Sequence, residues 1–102
     1  MVNVAFEREA GGYRMTVTGH AGQGPKGADL VCAACSILAY TLVRRVRALD
    51  PAAVRVRDEG DFELFVRAAG GQEAACRGAF ETVRAGFELL AENYPKAVKV
   101  VG

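Results

Sequence analysis

Residues 18 to 36 read TGHAGQGPKGADLVCAACS, and the fold turns on how this stretch is divided. Upstream, YRMTVTGH (residues 13 to 20) alternates Tyr13, Met15 and Val17 against Arg14, Thr16, Thr18 and His20, the period-two pattern of a half-buried strand. His20 falls where that strand gives way to a loop. The segment GHAGQGPKGA (residues 19 to 28) holds Gly19, Gly22, Gly24, Gly27 and Pro25, a composition that propagates neither helix nor strand. Asp29 then offers an N-cap, and a helix is expected from there to about Leu49. Its end is marked by Arg44, Arg45 and Arg47 and by Asp50-Pro51.

Working outward, VNVAF (residues 2 to 6) alternates like a strand and joins residues 13 to 20 through a Gly11-Gly12 turn, a hairpin. VRVRDEGDFELFV (residues 54 to 66) predicts a second hairpin around Glu59-Gly60, with Val54 and Val56 on the face of Phe62, Leu64 and Val66. A second helix is expected over Gln72 to Asn93, and AVKVV (residues 97 to 101) supplies a last short strand. The order β-β-α-β-β-α-β predicts an α+β fold: a two-layer α/β sandwich with a small sheet and both helices on one face. Residues 1–102 are expected to form a single domain.

Composition narrows the function. An apolar fraction of 51% and a charged fraction of 25% are those of an ordinary globular protein. Thirteen Lys and Arg against twelve Asp and Glu leave a net charge of +1, which argues against a dedicated nucleic-acid partner. No run is long and apolar enough to span a membrane, and MVNVAFEREA lacks the pattern of a signal peptide. A cytoplasmic setting with reduced thiols is therefore expected, in which cysteines serve chemistry more than cross-linking.

Three cysteines have to be sorted. At 100° per residue the first helix carries an apolar stripe of Val31, Ala34, Leu38, Leu42 and Leu49. Cys35 sits at its edge, roughly 60° from Leu38, and Cys32 roughly 120° away. Cys76 opens a stripe continued by Phe80, Val83, Phe87 and Leu90, so it is read as a core residue. With Asp29 as N-cap, Cys32 falls in the first helical turn, where unpaired N–H groups and the macrodipole favour a thiolate. His20 is the one histidine of the chain; it can pair with that thiolate and later return a proton to a leaving amine. The free N–H groups can hold a tetrahedral oxyanion. Asp29 is open to two readings, helix cap or orienter of the His20 ring. Ser36 is read as a packed hydroxyl bonding back to the helix, and Lys26 as a solvated loop charge.

Other readings compete. Cys32 and Cys35 have the spacing of a redox pair, although Cys35 lies near the buried stripe. A zinc site would need His20, Cys32, Cys35 and Cys76 together, which would pull Cys76 out of its core register. No metal and no cofactor is expected. A binding module without chemistry at Cys32 is the third alternative, with the Arg44, Arg45 and Arg47 group as an RNA contact; basic residues favour helix C-termini in any case.

With these residues placed, the sequence resembles the ribosomal-processing cysteine protease family, Prp. The likeness rests on Gly19-His20-Ala21 and on GADLVCAACS, Gly27 to Ser36, two blocks joined by a short variable loop. The resemblance implies a small α/β domain that pairs as a homodimer. It also implies an endopeptidase that removes the N-terminal extension of large-subunit ribosomal protein twenty-seven. By position His20 matches the catalytic histidine and Cys32 the nucleophile, with Asp29 and Ser36 in supporting roles. The loop from Ala21 to Ala28, with Gly22, Gly24 and Gly27, matches a segment that moves aside for substrate. Cys35 departs from the family, where an aliphatic residue is more usual, and makes oxidation between Cys32 and Cys35 possible. The alternatives are a non-catalytic ribosome-associated binding module and a thiol redox protein.

Overall fold

The computed structural model describes residues 1–19, 25–68 and 70–102, with residues 25–29 and Gly70 described by their backbone alone. Alternating apolar residues form strands β1 (Val2–Glu9) and β2 (Gly12–Gly19), helix α1 (Pro25–Leu49) follows, and a second hairpin contains β3 (Val54–Glu59) and β4 (Asp61–Arg67). Helix α2 (Glu73–Asn93) and strand β5 (Val98–Val101) complete the order. The five strands form one mixed sheet in the order β3-β4-β2-β1-β5. Every pairing is antiparallel except β1 with β5.

Register explains which face is apolar. Val4 pairs with Val17, and Val17 with Phe62; one step along, Phe6, Met15, Leu64 and Val56 form a second cross-strand row. Val4, Met15 and Leu64 are fully buried under the two helices, together with Phe87 of α2 and Leu42 of α1. The opposite face carries Arg14, whose guanidinium bonds Glu9 at 2.7 Å and Glu63 at 3.0 Å and lies over the Phe65 ring. A two-layer α+β sandwich results, as the element order predicts.

Helix α2 buries Cys76, Phe80, Val83 and Phe87 at alternating four- and three-residue spacing. In α1 the buried arc is Val31, Cys35, Ala39, Leu42, Val43 and Val46, rotated from the expected stripe toward Cys35. The rotation follows from α1 having two neighbours. Its central arc meets the sheet, while Leu38, half-buried, meets α2. A Cβ placed on Gly86 of α2 would lie 2.6 Å from the Leu38 Cδ2, so a glycine there lets the helices approach.

The start of α1 corrects the sequence reading. The helix begins at Pro25, four residues before Asp29, a difference larger than the usual ambiguity of a helix end. Proline suits the first helical position because its missing N–H would be unpaired there anyway. The fixed φ of Pro25 outweighs the helix cost of Gly27, about 1 kcal/mol relative to alanine. Asp29 is therefore not the N-cap, and Lys26 and Gly27 belong to the helix rather than to a loop.

Candidate active site

The pairing of β2 with β4 brings the β3–β4 turn beside the end of β2, and the pairing of β1 with β2 sets Val2 opposite Gly19. Helix α1 crosses above this corner. Between them lies a cleft of ≈ 190 Å³. Val2, Val17 and Gly19 line it from the first hairpin, and Asp58, Gly60 and Phe62 from the second. From α1 come Cys32, Cys35, Ser36, Ala39 and Tyr40. Gly19 has a φ of +84°, and a Cβ there would collide with the carbonyl oxygen of Met1. Only glycine fits this turn out of β2, and the turn leads directly into His20.

Helical spacing divides the α1 residues. Cys32, Ser36 and Tyr40 follow at four-residue intervals along one exposed ridge. Cys35 and Ala39 form the buried ridge beside it. The Cys35 thiol is pushed up to about 11, first by burial and second by the charge of Cys32. A thiol so shifted is protonated at neutral pH and behaves as a small hydrophobe. Cys32 is exposed, so within the pair it alone is open to a substrate.

The far wall of the cleft is aromatic and acidic. Tyr40 donates its hydroxyl hydrogen to the Asp58 carboxylate and meets Phe62 edge-on, with ring centroids 5.4 Å apart. The Asp58 bond holds the Tyr40 phenol above its ordinary range, with desolvation adding to the effect. As cleft residues these three escaped the sequence reading, which placed Phe62 only on the apolar face of its hairpin. Tyr40 carried a usable signal, since it continues the Cys32–Ser36 ridge. Asp58 and Phe62 did not, because their place depends on strand order.

Of the residues singled out by sequence, Cys32 and Ser36 meet in the cleft. Ser36 is exposed there, not packed as expected, because α1 turns its Cys35 side to the sheet. Gly27 lies in the helix rather than in a substrate loop. Asp29 lies within α1, and its side chain, like His20, Gly22 and Gly24, lies outside the described residues. The early helix start also moves Cys32 to the eighth helical residue, about 10 Å from the end. Its backbone N–H is paired within the helix, so the first-turn dipole and oxyanion arguments do not apply to it.

Cys76 is buried and lines a different cavity, with Val46, Leu49 and Gln72. Val46 stands eleven residues beyond Cys35 on α1, about 16 Å along the axis. A zinc site built from all three cysteines is incompatible with that separation. Burial pushes the Cys76 thiol up, and Glu73 adds to the shift. Among the described residues, no helix is long and apolar enough to cross a membrane.

Comparison with known proteins gives the family and the fold. A family model described as "Cysteine protease Prp" matches residues 1–99. The crystal structure of SMU.848 from Streptococcus mutans is 30% identical, with 99% of this chain and 93% of that one covered and a TM-score of 0.77. The ribosomal processing protease Prp from S. aureus, solved with a covalently linked product peptide, is 21% identical over the whole of both chains, TM-score 0.75. The same S. aureus protein with a substrate peptide gives 19% identity over both full chains and a TM-score of 0.76. No curated protein sequence matches closely enough to serve as a relative.

Proposed function

The chain belongs to the cysteine protease Prp family, and from that premise we propose that it is a cytoplasmic endopeptidase processing a ribosomal protein precursor. Its substrate on this reading is large-subunit ribosomal protein twenty-seven, whose N-terminal extension it removes. The observation that carries the proposal is the exposed Cys32 at the mouth of a cleft between α1 and two strand ends. An S. aureus protein of the same fold carries a covalently linked product peptide, and acylation of a cysteine is the chemistry such a cleft suits.

In this mechanism the Cys32 sulfur attacks the scissile carbonyl and His20 takes the thiol proton. His20 follows Gly19, a cleft residue, by one peptide bond. The protonated imidazole then hands its proton to the leaving amine. Water, deprotonated by His20, attacks the thioester, releasing the acyl fragment and restoring the thiol. With the capping role removed, Asp29 keeps its other reading, orienting the His20 ring. Ser36, one turn beyond Cys32, serves as a hydrogen-bonding group for the bound peptide.

The enzyme needs no metal or cofactor for these steps and acts as one domain over residues 1–102. A homodimer fits the outward apolar side chains of Ile37 and Leu89, which are 69% and 59% exposed. Cleavage of a peptide spanning the extension tests the proposal: Cys32→Ala abolishes turnover and Cys35→Ala retains it. Turnover by Cys32→Ala, or equal loss in both variants, overturns it.

A further inference from the structure

The protease chemistry leaves one nucleophile in the cleft without a task. Cys35 is 95% shielded, yet its residue lines the same cleft as Cys32. Both belong to α1, three positions apart, where helical geometry sets their Cα atoms about 5 Å apart. That lies inside the range of about 4.4 to 6.8 Å found across disulfides. The third cysteine lines the other cavity and cannot compete. An exposed thiol backed by a shielded one at this spacing is the arrangement of an attacking and a resolving sulfur.

We propose that Cys35 is a resolving thiol that protects Cys32 from hydroperoxides by closing a reversible disulfide within α1. The proposal rests on the reading of Cys32 as the cleft nucleophile. The Cys32 sulfur attacks a peroxide oxygen and the O–O bond breaks; sulfur is oxidised to the sulfenic acid, and the hydroperoxide is reduced to water or an alcohol. The Cys35 sulfur then attacks the Cys32 sulfur. An S–S bond forms, the S–O bond breaks, and hydroxide leaves with the Cys35 proton as water. An external dithiol supplies the two electrons that reopen the bridge.

Helix geometry sets the character of this bridge. Side chains three apart have Cβ atoms about 5 to 6 Å from each other, whereas a disulfide wants about 3.8 Å. Closure therefore tightens the turn of α1 between Cys32 and Cys35. A bridge closed against helical geometry is readily reduced, which suits temporary protection. While it is closed, Cys32 has no nucleophilic sulfur and cleavage stops.

Mass spectrometry of the intact chain treated with excess hydrogen peroxide tests the proposal without requiring protease activity. The wild type becomes about 2 Da lighter, peptide mapping finds the bond between Cys32 and Cys35, and dithiothreitol restores the original mass. Cys35→Ala and Cys35→Val instead gain about 32 to 48 Da at Cys32, and that gain survives dithiothreitol. The valine variant keeps the core filled should the alanine variant fold poorly. Measured against each variant's own untreated rate, cleavage recovers in the wild type and stays below about a tenth in the variants. Overoxidation of Cys32 in the wild type, or a bond to Cys76 or between chains, overturns the proposal. An inactive wild type that still forms the 32–35 bond sinks the protease reading and leaves the resolving thiol standing.

Discussion

Two cavities of almost equal size open toward different ends of α1, ≈ 190 Å³ beside Cys32 and ≈ 200 Å³ beside Cys76. Each has a cysteine in its lining and a tyrosine–carboxylate hydrogen bond nearby, Tyr40 to Asp58 at the first and Tyr13 to Glu73 at the second. Volume and a thiol are thus common to both, and neither marks the active site. The difference lies in access. Cys32 and Tyr40 are exposed, whereas Cys76 and Tyr13 are buried. The second cavity is a packing gap where α2 begins, and its tyrosine ties β2 to that helix. In the first, an open sulfur shares a wall with groups free to meet a peptide.

The sharpest way to break this comparison is to remove each sulfur. Cys32→Ala should lower peptide cleavage by more than about 1000-fold with no loss of fold. Cys76→Ala should keep cleaving while losing about 1 to 2 kcal/mol in urea unfolding. A reversed result would make the buried cavity the functional one.

Alkylation reads the same contrast chemically. At pH 8 a thiol titrating near 11 is only about 0.1% thiolate. Iodoacetamide should therefore label Cys32 at least about 100-fold faster than Cys35 in the native protein, with the rates converging in guanidinium. Stability should follow the core rather than the cleft. Phe87→Ala, at a fully buried position between helix and sheet, should cost about 3 to 5 kcal/mol. Tyr40→Phe should leave the melting temperature nearly unchanged and act mainly on KM for the peptide.

The smallest effect is a pH dependence at the quiet end. Tyr13 donates to Glu73 at 2.5 Å, which holds the phenol above its ordinary value of 10.0 and the carboxyl below its ordinary 4.5. A lowered carboxyl stabilises the fold above pH 4.5 and loses that effect as pH falls through the folded value. A raised phenol stabilises it below pH 10.0 and loses that effect as pH rises through the folded value. Glu73→Gln should flatten the acid limb of a thermal-stability profile, whereas Asp58→Asn should alter cleavage more than melting.

Much of the fold was legible because its signals are local. Alternation in residues 2 to 6, 13 to 20 and 54 to 66, and the Cys76–Phe80–Val83–Phe87 spacing, report directly which side of an element meets the core. The place of Cys32 off the apolar stripe and the core place of Cys76 followed from the same angular reading, which set Cys35 only at the edge of its stripe. Three things were not legible. Strand order depends on pairings between distant segments, so the β3–β4 turn could not be placed beside Gly19, and Asp58 and Phe62 stayed hidden. The start of α1 was misread because glycines at 22, 24 and 27 outweighed the preference of Pro25 for a first helical turn. The exact face of α1 depends on its contact with Gly86 of α2, a partner the helix's own periodicity does not contain.

The central claim is that the Cys32 sulfur forms a covalent acyl intermediate with the peptide. Rapid acid quenching of the wild-type chain with a peptide spanning the extension, followed by intact-mass analysis and mapping, tests it most directly. The account predicts a thioester carrying the N-terminal fragment on Cys32, absent from Cys32→Ala. Cleavage of the peptide with the protein mass unchanged, or an adduct on Cys35 or Cys76, would contradict it.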